Sequence, residues 1–269
     1  MNWSRAKSIL ILFLIFTSLL LSGMLHISNQ KSSMIEPQTI SYTTQLLEKK
    51  GVYISPELLP NKLYSLSVYE GENVISDYFE FAKTVFPDAE KISDTNYNSS
   101  MGTIEFFGDK FDIKFSDGLP TDKKLKSPSE KAKNYLSTIG INISDAVINT
   151  TNNAEGLFTV CFTNKLNGYS LFDNKISVTL SGENIVAVSG VWFGKKSVQS
   201  SNFTLDSAPG LLLKYTEQNP EFRNIEITAI EIGYAINEQG VFHKESSILP
   251  VYKIVTSDGN EFYIDARHK

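Results

Sequence analysis

The sequence predicts an antiparallel α+β fold carried behind an N-terminal transmembrane helix. Three observations predict it. An uncharged apolar run opens the chain, and short alternating apolar segments are separated by Gly, Asn and Asp turns. A helical stripe precedes such segments twice, without the strand–helix–strand alternation of a parallel sheet.

The apolar run comes first in the chain. Arg5 and Lys7 precede it, and from Ser8 to Gln30 no residue carries a formal charge. A hydrocarbon core of about 30 Å needs about 20 helical residues, which this stretch supplies. A cleaved secretory signal shares the basic start and apolar core, and Ser22-Gly23-Met24 offers small residues for cleavage. An A-x-A-like site is absent, however, and no Cys follows for a lipoprotein anchor. A retained anchor is expected, with a cytoplasmic stub at 1–7, a membrane span at 8–27 and a polar linker at 28–39. The positive-inside rule places everything beyond the span outside the cell. Ser18 and Ser22 form a small-xxx-small pair within the span, the candidate contact for a partner helix.

Two units are expected beyond the linker, at 40–118 and 119–269. Tyr42, Leu46 and Leu47 recur at helical spacing before Gly51, and Lys62–Tyr69 alternates as a strand. Val74, Ile75, Tyr78, Phe79, Ala82, Val85 and Phe86 form a helical stripe that stops at Pro87. A hairpin follows, with Ile104 and Phe106 before the Gly108-Asp109 turn and Phe111, Ile113 and Phe115 after it. Asp117-Gly118 and Pro120 break the pattern. Lysines 123, 124, 126, 131 and 133 then cluster on what reads as a solvated linker and helix face.

Ser127, Pro128 and Glu130 make a capping box for a helix with Ala132, Tyr135, Leu136 and Ile139 on one face and Gly140 at its end. A meander follows: Phe158, Val160 and Phe162, then Ile176, Val178 and Leu180, then Val186 and Val188 leading to Trp192. Asn167-Gly168, Asp173-Asn174 and Gly182-Glu183-Asn184 read as the turns between these runs. A helix after Asp206 buries Leu212 and Tyr215 and stops at Asn219-Pro220. Strands over Ile225–Tyr234, Val251–Thr256 and Glu261–Asp265 close the chain.

The search for chemistry excludes more than it finds. In 269 residues there is no G-x-S-x-G, H-E-x-x-H, Walker or G-x-G-x-x-G pattern, so no catalytic or cofactor site is expected. His243 reads as a loop residue and His268 as tail, neither with a second ligand at metal spacing. Asp109, Asp112 and Asp117 flank one hairpin but lack the calcium-loop pattern. Cys161 sits between Val160 and Phe162 with no base beside it, and reads as core filler in a strand. The net charge of −5 argues against nucleic acid as a partner.

Several segments resemble the YycI/YycH family, and YycI proteins most of all. MNWSRAKSILILFLIFTSLLL is similar to the YycI opening. GYSLFDNKISVTLSGENIVAVSGVWFG, AIEIGYAINEQG and ILPVYKIVTSDGNEFYIDA match, in order, the family's sheet segments. Tyr252 departs from the pattern, where members often carry Trp, and residues 40–150 match only by element order.

The resemblance implies an extracytoplasmic, PepSY-like α+β ectodomain on a single-pass membrane protein. It implies a non-catalytic accessory regulator of a sensor histidine kinase of the WalK/YycG type, which controls cell-wall metabolism in low-GC Gram-positive bacteria. The implied partners are that kinase, a YycH-like sister protein and membrane lipid around the N-terminal helix. The alternative is a secreted PepSY-like binding or inhibitory module, released by signal-peptide cleavage.

Overall fold

The computed structural model describes residues 7, 11–22, 34–153, 156–237 and 245–267. Residues 11–22 are helical. Residues 8–10 and 23–27 of the expected span lie outside the described residues, as do His243 and His268. Among the described residues no helix is long and apolar enough to cross a membrane.

In chain order the later elements are α1 (Pro37–Lys49), β1 (Val52–Ile54), β2 (Ser65–Asn73), α2 (Tyr78–Val85), β3 (Glu90–Lys91), β4 (Asn96–Ser99), β5 (Gly102–Phe107), β6 (Lys110–Pro120) and α3 (Pro128–Thr138). They continue with β7 (Val147–Asn152), β8 (Leu157–Leu166), β9 (Tyr169–Ser181), β10 (Asn184–Gly190), β11 (Phe193–Thr204), α4 (Ala208–Gln218), β12 (Ile225–Ile236), β13 (Glu245–Thr256) and β14 (Glu261–Asp265). The architecture is mixed α+β with a large, mostly antiparallel sheet. Parallel pairing also occurs, β1 with β12 and β12 with β9, which the reading of a purely antiparallel chain did not anticipate. These partners are more than 60 residues apart, so no local turn signal announces them.

The chain divides into two compact units, one of residues up to 65 with 204–228, the other of 66–203 with 229–267. In the first, Pro37 takes a first-turn position of α1, where a missing N–H costs nothing. The helix thus begins inside the segment expected to be linker. Gly51 ends it at φ +81°. α1 packs on α4, and Lys50 reaches Glu217 at 3.3 Å. Leu47, Val52, Leu205, Leu212 and Phe222 are buried.

In the second unit the strand order is β11-β2-β13-β12-β9-β10-β6-β5-β4-β3, with β8 on β9, β7 on β8 and β14 on β13. Residues 118 and 119 both lie in β6, and Asp117-Gly118 falls in a bulge of that strand, where pairing with β10 jumps from Lys114–Ala187 to Leu119–Ile185 and Gly118 takes φ +72°. β6 pairs with β5 across the Gly108-Asp109 turn and with β10 on its other side. The helical stripes of α2 and α3 enter one apolar cluster with the inward residues of these strands, among them Phe86, Phe111, Ile113, Leu136, Phe162 and Val178. The α3 capping box forms as expected, Ser127 Oγ accepting from the Glu130 N–H and Glu130 from the Ser127 N–H.

Four positions differ from expectation. A register shift between Ile185 and Ala187 turns Ile185 and Val188 inward, in place of Val186 and Val188. Cys161 is half-buried, because Val160 and Phe162 take the inward face and the intervening residue must point the other way. Lys131 leaves the solvated lysine group: its side chain is 6% exposed and its Nζ lies 2.5 Å from Glu183 Oε2. Asp173-Asn174, expected as a turn, lies within β9.

Candidate functional site

Asn174 shows why that strand does not turn. It is completely buried, its Oδ1 accepting from the Phe193 N–H (2.9 Å) and its Nδ2 donating to the Phe193 carbonyl (2.7 Å). A carboxamide presents the same donor and acceptor as a peptide group, so one side chain completes the pairing of an adjacent strand. Asn164 Nδ2 donates to the same carbonyl at 2.9 Å.

The segment Val191–Lys195 held this way leads from β10 into β11. Its entry requires Gly190, since a Cβ there would lie 2.1 Å from the Lys175 carbonyl oxygen. The Val191 N–H donates to that oxygen at 2.9 Å, and the Trp192 carbonyl accepts from the Val74 N–H at 3.1 Å. The indole Nε1–H of Trp192 donates to the Asn142 carbonyl at 3.0 Å.

A second buried asparagine, Asn73, accepts from the Ile75 N–H and donates to Asp109 Oδ1 at 3.2 Å. Tyr78 Oη donates to the Gly108 carbonyl at 2.7 Å, and burial, followed by the Asp109 charge, pushes its phenol above the ordinary tyrosine range.

Two cavities flank the segment. The first, about 300 Å³, is walled by Phe107, Val191, Phe193 and Ile236, with Asp109, Asp173 and Lys110 as its charged groups. Asp173 is occupied by the Ile236 N–H at 2.9 Å. The second, about 380 Å³, is more polar and includes Asn142, Asn164, Lys165, Asn167, Trp192 and Lys195. Among the described residues no group of three His, Cys, Asp or Glu side chains is placed to hold a metal ion. The hairpin carboxylates do not converge: Asp109 faces Asn73 and Asp112 faces Lys114.

Ser18 and Ser22 both lie in the helical residues 11–22, one turn apart and exposed. Thr17 Oγ1, beside them, bonds back to the Phe13 and Leu14 carbonyls, each at 3.0 Å. The buried asparagines escaped the sequence reading, although one signal was present. Phe172, Asn174, Ile176, Val178 and Leu180 share one strand parity, so a polar residue occupied a core position.

No family model matches the chain, and no curated protein matches it. Solved structures similar in fold include the following two. One is YycH from Bacillus subtilis, at 12% identity and TM-score 0.48, over 76% of this chain and 53% of that one. The other is an uncharacterized protein from Eubacterium rectale ATCC 33656, at 10% identity and TM-score 0.48, over 80% of this chain and 88% of that one.

Proposed function

We propose that the protein is a membrane-anchored, non-catalytic accessory regulator of a sensor histidine kinase of the WalK/YycG type, working beside a YycH-like sister protein. In this reading the N-terminus is cytoplasmic, a single helix at 8–27 spans the membrane, and the α+β part lies outside with PepSY-like units. One observation carries it: helical residues 11–22 expose Leu12, Phe13, Ile15, Phe16 and Leu19, each at more than half of its accessible area, together with Ile11, Leu14 and Leu21. A helix apolar all round needs lipid or protein around it. The sequence resemblance of the opening and the sheet segments supports the choice of partner.

Regulation then requires that the protein contact two signalling states of the kinase with different free energy, on the scale of about 1–3 kcal/mol. The test is membrane fractionation of the native organism carrying a C-terminally tagged chain, with crosslinking before affinity capture. An intact chain of 30.1 kDa recovered with a histidine kinase is the expected result. A shortened, soluble chain without a kinase overturns it in favour of a secreted binding module.

A further inference from the structure

The second cavity beside Val191–Lys195 has features that a merely structural dimple does not need. Its charged groups are Lys165, Lys195 and Asp145, giving an excess of one positive charge in a chain whose net charge is −5. Among the described residues neither lysine has a carboxylate within 4 Å, whereas Lys131, Lys196 and Lys253 are each ion-paired. Lys195 rests over the Tyr69 ring with Nζ 4.5 Å from its centroid, a contact that orients the ammonium without neutralising it.

Around the lysines stand Asn142, Asn164 and Asn167. Their carboxamides both donate and accept, as sugar hydroxyls do; Asn142 Oδ1 already takes the Ser144 N–H and Asn164 Oδ1 the Lys165 N–H, each keeping a second lone pair, and the Asp145 carboxylate accepts. Behind them Leu171, Trp192, Phe193 and Ile248 form an apolar floor. The frame is held in place. Asn164 is tied to the Phe193 carbonyl, Asn167 Nδ2 donates to Tyr69 Oη, and the Asn142 carbonyl accepts from Trp192. A concave site with an apolar floor, a few fixed polar groups and a local charge is the form that small polar ligands select.

From this arrangement we propose that the cavity binds an acidic sugar, a hydroxylated ring bearing one phosphate or carboxylate. The oxyanion meets the Lys165 and Lys195 ammonium groups, and the ring hydroxyls meet the carboxamides and Asp145. A volume of about 380 Å³ accommodates one such ring with water. The proposal is independent of the kinase reading.

The test is ligand-observed saturation-transfer NMR on the full chain in neutral phosphatidylcholine nanodiscs, with glucose 6-phosphate, glucuronate, glucose and inorganic phosphate as probes. Saturation of at least one acidic sugar, and not of glucose, is expected; whichever acidic sugar binds identifies the oxyanion. Inorganic phosphate should displace it only weakly. Each lysine replaced by Gln should weaken binding about tenfold, as loss of a charge-assisted hydrogen bond does.

Lys165→Gln with Lys195→Gln should abolish the signal while the circular dichroism stays that of the parent. If the double variant unfolds, Lys165→Gln alone, on an exposed residue, carries the test through its tenfold weakening. Equal saturation of glucose, no saturation by either acidic sugar, displacement by phosphate at equal concentration, or binding unchanged in the variants would each overturn the proposal.

Discussion

Replacing Asn174 by Ala tests whether a side-chain amide is what holds the second unit together at Val191–Lys195. The substitution removes two hydrogen bonds to Phe193, at 2.7 and 2.9 Å, from a residue with no exposed surface. The Phe193 carbonyl keeps Asn164 as a donor, so the group left without its partner is the Phe193 N–H. A net bond is worth about 1 kcal/mol and a stranded buried donor costs about 1–3 kcal/mol, so the variant should lose about 3 kcal/mol. Asn164→Ala removes a bond to a carbonyl that Asn174 still serves and one from the Lys165 N–H, which is exposed and can turn to water, so it should lose only about 1 kcal/mol.

The assay is urea unfolding of the full chain in detergent, followed by Trp192 fluorescence in a Trp3→Phe background. With a slope of about 3 kcal/mol per molar urea, the Asn174→Ala midpoint should fall by about 1 M. A fall of less than a third of that, or one no larger than that of Asn164→Ala, would refute the amide-clamp reasoning.

Gly190→Ala drives a Cβ to within 2.1 Å of the Lys175 carbonyl oxygen and should cost more than about 2 kcal/mol, read as lost near-ultraviolet dichroism of Trp192. Glu183→Ala leaves the buried Lys131 ammonium unpaired and should destabilise more than Lys131→Met, which removes the charge; the reverse order in urea unfolding contradicts the pairing.

The Ser100 and Ser99 hydroxyls and the Ser100 N–H hold the Asp88 carboxyl well below the usual carboxylate range. Its contribution is therefore complete above the unfolded value near pH ~4 and is lost as pH falls toward the folded one. Asp88→Asn should flatten the acid limb of the stability profile, and an unchanged limb rules this out. If the proposed kinase reading holds, Ser18→Leu with Ser22→Leu should weaken kinase capture about 3- to 30-fold, as loss of a close helix contact worth about 0.6–2 kcal/mol does, with the α+β fold intact. Undiminished capture removes that face assignment.

Short-range patterns were sufficient for much of the fold. The Ser127–Glu130 box, the Gly108-Asp109 hairpin, the Gly51 stop and the inward faces of α3 and β9 follow from spacing alone, because each is decided within a few residues. The uncharged opening is equally plain, since apolar length is a property of the sequence itself.

What tertiary structure decided lies where partners are distant along the chain. Asn174 reads as a turn residue until Phe193, 19 residues on, is brought opposite its amide. Lys131 reads as solvated until Glu183, 52 residues on, meets it. Lys165 and Lys195 share a cavity only because β8, β9 and the Val191–Lys195 segment converge there. Periodicity encodes which face a residue takes, but polar pairing depends on which group stands across from it. That is set by strand order and register over the whole sheet.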